Sequence, residues 1–234
     1  MKELRHLITF SCAVMVLTSL ITSCGLIDME FDENVQMAYD MQLDHDTVYI
    51  VEGDSIVLTP LFTPDSVSNQ EVYFRSANEE IACVHNDTII AVAEGETVIS
   101  ATSIMNEKMA FCQVFVMAPW EVNIYNFSND MVAYVTASID GEPLNLETQI
   151  VGAFVGGDLR GIGELIELKD TKILQVRIYG HYEWGDGEPT RPELVRFKCY
   201  DKEKFTLQQL DLYIPFDGET HGSPSAPLEL VSQK

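Results

Sequence analysis

Basic residues are scarce in this sequence. Lysine and arginine together number 14, against 37 aspartate and glutamate residues, and the formal net charge is -23. Such a surface repels the phosphate backbone of nucleic acids, so a nucleic-acid partner is not expected. It also repels anionic lipid headgroups, so any attachment to a membrane must come from something other than a basic patch.

Motifs of common catalytic and metal sites are also missing. The sequence has no His-Glu-x-x-His, no Gly-x-Ser-x-Gly and no cysteine pairs spaced for zinc. The glycine-rich stretch 156–163 lacks a P-loop lysine and precedes no clear helix, so it predicts a hairpin turn. Carboxylate pairs are inevitable in so acidic a chain and leave a glycoside hydrolase as a remote alternative. We expect no enzymatic activity, no cofactor and no metal site.

Long apolar runs are absent except for one near the start. It begins at about Leu7, follows Lys2 and Arg5, and ends in small residues. This arrangement is typical of a secretory signal peptide. The alternative, a transmembrane anchor, needs about 20 apolar residues, and the run is short for that.

The run ends in Ile21-Thr22-Ser23-Cys24, which resembles a bacterial lipobox. The resemblance implies that residues 1–23 are removed and that Cys24 becomes a lipidated first residue. It therefore implies a lipid anchor in the outer membrane. The acidic stretch 24–45 that follows predicts a solvated tether, and its spacing fits no calcium-binding loop. It also resembles the signal that sends lipoproteins of Bacteroidetes to the cell exterior.

Cysteine is too rare to suggest a disulfide framework. Of five cysteines, Cys12 lies in the predicted signal and Cys24 would carry lipid. Of the other three, strand alternation turns Cys83 outward and Cys112 toward the same face as its apolar neighbours, so these two cannot be bridged. We predict that Cys83, Cys112 and Cys199 are unpaired, with the last two in the core.

Helical periodicity is absent from residues 46–118, where short strands of period two alternate with turn residues. This pattern predicts an antiparallel sandwich. The predicted strands are Val48–Val51, Ser55–Thr59, Val72–Arg75, Ile81–Val84, Thr88–Ala93, Thr97–Thr102 and Ala110–Met117.

Several stretches of this module are similar to the bacterial immunoglobulin-like domain of group 2. They are Val51-Glu52-Gly53-Asp54, Val72 to Asn78, Ile81-Ala82-Cys83-Val84, Ala93 to Thr97 and Ile99 to Thr102. Phe74 stands where that family usually has tryptophan, and His85-Asn86-Asp87 replaces its turn glycine. The resemblance implies an immunoglobulin-like spacer without catalytic residues.

Pro119 marks a boundary, so residues 119–234 form a second predicted module. Asp140-Gly141 predicts a hairpin, and residues 161–168 are ambiguous between a strand and a helical turn. Its stretches 151–161 and 221–227 resemble a β module of Bacteroidetes cell-surface proteins. The predicted strands are Glu121–Tyr125, Met131–Ile139, Gln149–Val155, Lys172–Tyr179, Leu194–Tyr200 and Leu212–Phe216. The whole chain is thus predicted to be all-β, with two tandem Ig-like sandwiches after the signal and tether.

The loop 181–188 is the candidate binding site in the sequence. It carries Tyr182 and Trp184, two positions apart, with Glu183 and Asp186 beside them. Aromatic faces next to carboxylates suit sugar rings and also peptides. The alternative is that Trp184 folds back to cap the open end of the sandwich.

Two classes of function follow from these observations. The first is a non-catalytic surface lipoprotein that adheres to a glycan or a surface protein and uses the Ig-like domain as a spacer. The second is a structural subunit of an outer-membrane assembly, which would bind its partner through a sheet edge. A glycan binder should carry exposed aromatic residues, whereas an assembly subunit should carry a bare apolar edge strand.

Overall fold

The computed structural model describes residues 35–168, 171–181, 184–185, 188–189 and 193–232. Of residues 1–36, only Val35 and Gln36 are described, and both are exposed. Residues 37–234 form one compact unit. The strands are β1 (Asp40–Leu43), β2 (Thr47–Val51), β3 (Ser55–Val57), β4 (Pro60–Thr63), β5 (Val72–Ser76), β6 (Ala82–His85), β7 (Thr88–Ala91), β8 (Gly95–Ser103), β9 (Met109–Met117), β10 (Asn129–Ile139), β11 (Glu142–Pro143), β12 (Gln149–Val155), β13 (Asp158–Leu168), β14 (Thr171–Gly180), β15 (Trp184–Gly185), β16 (Glu188–Pro189), β17 (Leu194–Asp201), β18 (Thr206–Pro215) and β19 (Leu228–Ser232).

The N-terminal module, residues 37–118, is a sandwich of separate sheets. One sheet has the order β2-β9-β8-β5 and the other β3-β7-β6, while β1 pairs with β4. Alternate residues of β8 and β9 point inward and are buried. They meet Ile56 and Ile89 of the second sheet in a single core. Most pairs are antiparallel, but β2 runs parallel to β9.

The predicted tether ends earlier than residue 45. Residues 40–43 form β1, and Met41 and Leu43 are buried in the N-terminal core. Asp40 and Gln42 point outward, which satisfies their polar groups. The period-two alternation therefore outweighs the acidic composition that suggested a tether.

The C-terminal module, residues 119–232, is built on one continuous eight-stranded sheet. Its order is β11-β10-β14-β13-β12-β17-β18, and β19 pairs in parallel with the free side of β10. The first half of β13 pairs with β12 and its second half pairs with β14. One strand thus belongs to both layers, and the sheet folds over a core of its own.

Glycine makes this shared strand feasible. A Cβ on Gly161 would lie 2.2 Å from the carbonyl oxygen of Arg177, a distance that no other residue could tolerate. The ambiguity at residues 161–168 is therefore resolved as strand. At the preceding turn, Gly156 has φ +62° and β12 pairs directly with β13, which confirms the predicted hairpin.

The remaining sequence predictions have mixed outcomes. The strand predicted at 121–125 is wrong, because residues 124–126 form a 3-10 turn in which the Asn123 side chain accepts a hydrogen bond from the Tyr125 amide. The hairpin at Asp140-Gly141 is confirmed, with both residues at positive φ. The all-β fold class is confirmed as well. In the described part of the chain, no helix is long and apolar enough to cross a membrane.

The described cysteines are free thiols. Cys112 shares the buried face of β9 with Val114 and Val116, as the alternation predicts, and Cys199 is buried in the C-terminal core. Cys83 is half-buried.

Candidate functional site

A groove of about 950 Å³ lies where the two modules meet. The connection Ala118-Pro119-Trp120, which the sequence marks as a boundary, is part of its lining. Its walls come from β2, β8 and β9 on one side and from β12, β13 and β17 on the other. This volume is in the range of ligand-binding clefts in proteins.

The wall of the N-terminal module is a row of side chains on the outer face of its larger sheet. Tyr49 and Phe115 are opposite each other in the β2–β9 register, and their rings stack with centroids 4.8 Å apart. Glu96 is the partner of Phe115 on β8, so it continues the row. The period of two explains the arrangement, since the neighbours of these residues point into the core.

The wall of the C-terminal module is built around Trp120. Its ring lies over Gly152, where an added Cβ would approach the indole to 2.8 Å. It contacts Phe154 edge to face, with centroids 5.3 Å apart, and Tyr200 at 5.9 Å. Gly152 therefore leaves the room that the large indole needs above the sheet. Half-exposed Trp120 is thus fixed in place while part of it faces the groove.

Charged and polar groups surround these aromatic rings. Lys198 Nζ lies 4.7 Å from the centroid of Phe154. The amides of Asn123 and Asn126 also line the groove. Four exposed carboxylates complete the lining: Glu94, Glu96, Glu121 and Asp158. The groove therefore combines apolar ring surface with hydrogen-bonding groups.

Phe205 holds the two walls together. It lies at the turn between β17 and β18, its carbonyl accepts a hydrogen bond from the Tyr49 amide at 2.7 Å, and its ring packs against the N-terminal core. Its φ of +51° is unfavourable for a bulky residue, so the surrounding contacts must stabilise it. The buried carboxylate of Asp201 helps by accepting hydrogen bonds from the amides of Glu203 and Lys204 in the same turn.

The phenol of Tyr200 is an ionisable group in contact with Trp120. Burial raises the pKa of Tyr200 to about 12, with smaller contributions from the nearby charges of Asp54 and Asp201. The phenol therefore stays neutral at physiological pH and serves as packing beneath Trp120. Among the described residues, no group of three or more His, Cys, Asp or Glu side chains could hold a metal ion.

Three of the four candidate binding residues, Tyr182, Glu183 and Asp186, lie outside the described residues, and so does the predicted lipidation site Cys24. Trp184 begins the short strand β15, which pairs with β16 in a small hairpin. His181, the first residue of the loop, lines the groove, and its ring lies 5.5 Å from that of Phe127. The predicted loop therefore begins at the groove.

The groove itself was missed by sequence reasoning. Its lining residues come from positions between 49 and 207, and no local motif joins them. The one available signal was Trp120, a large aromatic directly after the boundary proline.

Several solved structures have some likeness to the chain. Domains 4–9 of the surface layer protein SbsC are 12% identical, with a TM-score of 0.30, over 85% of this chain and 32% of that one. The chain thus spans about a third of that structure. Human protocadherin-24 EC1-2 is 11% identical, with a TM-score of 0.28, over 85% of this chain and all of that one (100%).

A third structure is the Bacteroides ovatus mixed-linkage glucan utilization locus SGBP-B in complex with a mixed-linkage heptasaccharide. It is 14% identical, with a TM-score of 0.24, over 75% of this chain and 43% of that one. Likeness at this level carries no argument about ligand or partner. No curated protein matches the chain. Residues 39–113, by contrast, match the family described as Bacterial Ig-like domain (group 2), which agrees with the sandwich seen there.

Proposed function

We propose that this chain is a non-catalytic, lipid-anchored protein of the outer membrane that faces the cell exterior and binds a glycan or a peptide of another surface. The Ig-like domain serves as a spacer above the membrane, and the groove at the module junction is the binding site. The loop 181–188 borders this site through His181.

The observation that carries the proposal is the aromatic lining of the groove. Trp120, Phe115 and Tyr49 are half-exposed, although burying such rings is worth about 1.5–3 kcal/mol each. Surface aromatics grouped in a concave site, with amides and carboxylates beside them, are the usual composition of ligand pockets. Rings offer flat apolar faces, and the polar groups fix the orientation of the ligand.

A binding screen tests this proposal. The chain from Gly25 onward is applied to a broad glycan array and to a peptide array, together with its Trp120→Ala variant. We expect Trp120→Ala to lose the bound ligand because it removes the central ring of the groove. Tyr125→Ala is the matched control, since Tyr125 is a nearby aromatic that is 91% exposed and outside the groove lining. Equal binding by both variants would refute the groove as the site.

The lipid anchor is tested separately. Metabolic labelling with a fatty acid should mark the wild-type chain, and Cys24→Ala should lose both the label and membrane fractionation. Cys83→Ala, which changes a half-buried thiol of the Ig-like domain, should keep both. A Cys24→Ala protein that stays in the membrane fraction would contradict the anchor.

A second candidate function is a subunit of an outer-membrane assembly. It is favoured by the edge strand β5, on which Tyr73 is 64% exposed and lies in one row with Thr102 and the exposed Met109. Exposed apolar groups at a sheet edge are suited to pairing with another protein. Under this alternative, Tyr73→Asp would abolish cross-linking to an envelope protein, whereas Tyr125→Asp would not.

A further inference from the structure

We infer that the groove binds a cationic segment of a partner protein, through lysine or arginine side chains of that segment. This inference rests on the proposed function, because it names the class of partner for the same groove. It commits to a peptide rather than a glycan on the basis of the charges and ring contacts that line the site.

The lining is strongly unbalanced in charge. Four of its side chains are carboxylates and one, Lys198, is an ammonium group. Glu94 and Glu96 come from the N-terminal module, whereas Glu121 and Asp158 come from the C-terminal module. A ligand lying along the groove therefore has negative charge on both sides. This arrangement attracts cations, repels anionic ligands and raises the association rate of a basic partner.

The aromatic rings of the site already accept cations. Lys198 Nζ faces Phe154 at 4.7 Å, and the guanidinium carbon of Arg160 lies 4.6 Å from the centroid of Phe127. Both distances are within the range of cation–π contacts. The half-exposed rings of Trp120, Tyr49 and Phe115 can receive the side chains of a partner in the same way.

Arg160 is a buried cation beside the groove, next to the lining residue Asp158. It is 8% exposed, its Nη2 lies 3.6 Å from Asp158, and its Nε and Nη1 have no hydrogen-bond partner. Even with this buried cation, the exposed surface of the groove stays acidic. A neutral sugar would gain only hydrogen bonds from these carboxylates, whereas a basic segment would also gain charge pairing.

The test is the binding of a fluorescein-labelled oligolysine peptide to the full mature chain, followed by fluorescence anisotropy. Two variants remove the same charge from different places. The groove set changes the four lining carboxylates: Glu94→Gln, Glu96→Gln, Glu121→Gln and Asp158→Asn. The control set changes four exposed carboxylates outside the lining: Glu71→Gln, Glu107→Gln, Glu142→Gln and Glu229→Gln.

The groove set should weaken binding about tenfold or more, since exposed charge pairs contribute roughly two- to fivefold each. The control set should change it by about twofold or less, since its charges lie outside the groove and are screened. Lys198→Gln should strengthen binding about two- to fivefold because it removes the competing cation. This variant keeps the inference testable if the groove set does not fold.

Two results would overturn the inference: equal weakening by both sets, or no binding of oligolysine at low salt. If a neutral oligosaccharide binds, depends on Trp120 and ignores the groove carboxylates, the inference fails and the proposed function stands. If neither peptide nor glycan binding depends on Trp120, the proposed function fails as well.

Discussion

The two modules reach the same class of fold by different routes. The N-terminal module stacks separate sheets, each ended by its own turns, and its core forms where they face each other. The C-terminal module folds one sheet over itself and needs β13 to serve both layers. The difference teaches that a strand shared between layers depends on glycine where it passes the backbone of its neighbour. Stacked sheets have no such requirement.

The largest expected effect is a loss of stability in the C-terminal module when the glycine of the shared strand β13 is replaced. Gly161→Ala should destabilise the C-terminal module by about 3 kcal/mol or more, because the new methyl group would meet a backbone oxygen that cannot move aside. Gly157→Ala is the matched control in the preceding turn, where a Cβ has open space. Chemical denaturation measures both variants, and similar stability for the two would show that β13 tolerates side chains at its crossing.

The next effect concerns the contact that joins the modules. Phe205→Ala, a change in the C-terminal module, should lower the unfolding free energy of the N-terminal module by about 2 kcal/mol, since a half-buried ring leaves its core. Hydrogen exchange at the Tyr49 amide reports on this site directly, and it should become faster. Exchange that stays unchanged throughout β2 would mean that the modules are stabilised independently.

A third effect, the loss of stability at high pH, should be similar in both modules because each buries a cysteine thiol. Burial raises the pKa of the Cys112 thiol from 9.0 to about 12, helped by nearby Asp46 and Asp44, and burial beside Asp201 does the same for Cys199. An unfolded chain releases these protons near pH 9, whereas the folded chain keeps them until about pH 12. Stability from this source is therefore full below pH 9 and is lost as pH rises toward 12.

The expected loss is about 1.4 kcal/mol per thiol for each pH unit in that window. Denaturation at pH 8 and pH 10 measures it, and Cys112→Ala should remove the dependence on this group from the N-terminal module alone. A pH dependence that persists in that module at the same slope would assign it to other groups.

The last prediction is that reductant has no effect on stability. Reductant should leave the melting temperature of both modules unchanged, because Cys83, Cys112 and Cys199 are free thiols. Loss of a native disulfide usually costs about 2–5 kcal/mol, which a melting curve detects easily. A clear drop on reduction in either module would contradict the free thiols seen here.

Strands rich in branched and aromatic residues could be predicted from the sequence, whether or not their burial alternates. The predicted bounds of β12, Gln149–Val155, are those observed. The strand β13 was left ambiguous because its glycines weaken the strand signal, although they are what its crossing requires. The strand β1 was missed because it is short and lies in an acidic stretch, with Asp40 and Gln42 alternating with its two core residues. The strand predicted at 121–125 was wrong because residues 124–126 form a 3-10 turn, in which Ile124 and Tyr125 are exposed.

The candidate site was only partly predictable for a related reason. A loop motif is local and can be read directly, as with Trp184 and its neighbours. The groove depends on cross-strand pairs such as Tyr49 and Phe115, 66 positions apart, which only the register brings together. Its two walls are further fixed by Phe205, whose sequence neighbours give no sign that its ring enters another module.

The parallel strand pairs have a mechanical consequence. In each module an early strand runs parallel to the last one: β2 beside β9, and β10 beside β19. When the two ends of a module are pulled apart, parallel strands slide past each other, so all hydrogen bonds between them bear the tension together. Antiparallel end strands would instead open one bond at a time. The rate of forced unfolding is set by the barrier to this shearing, so a chain anchored at one end and holding a partner at its groove would carry the load through the β2–β9 ladder.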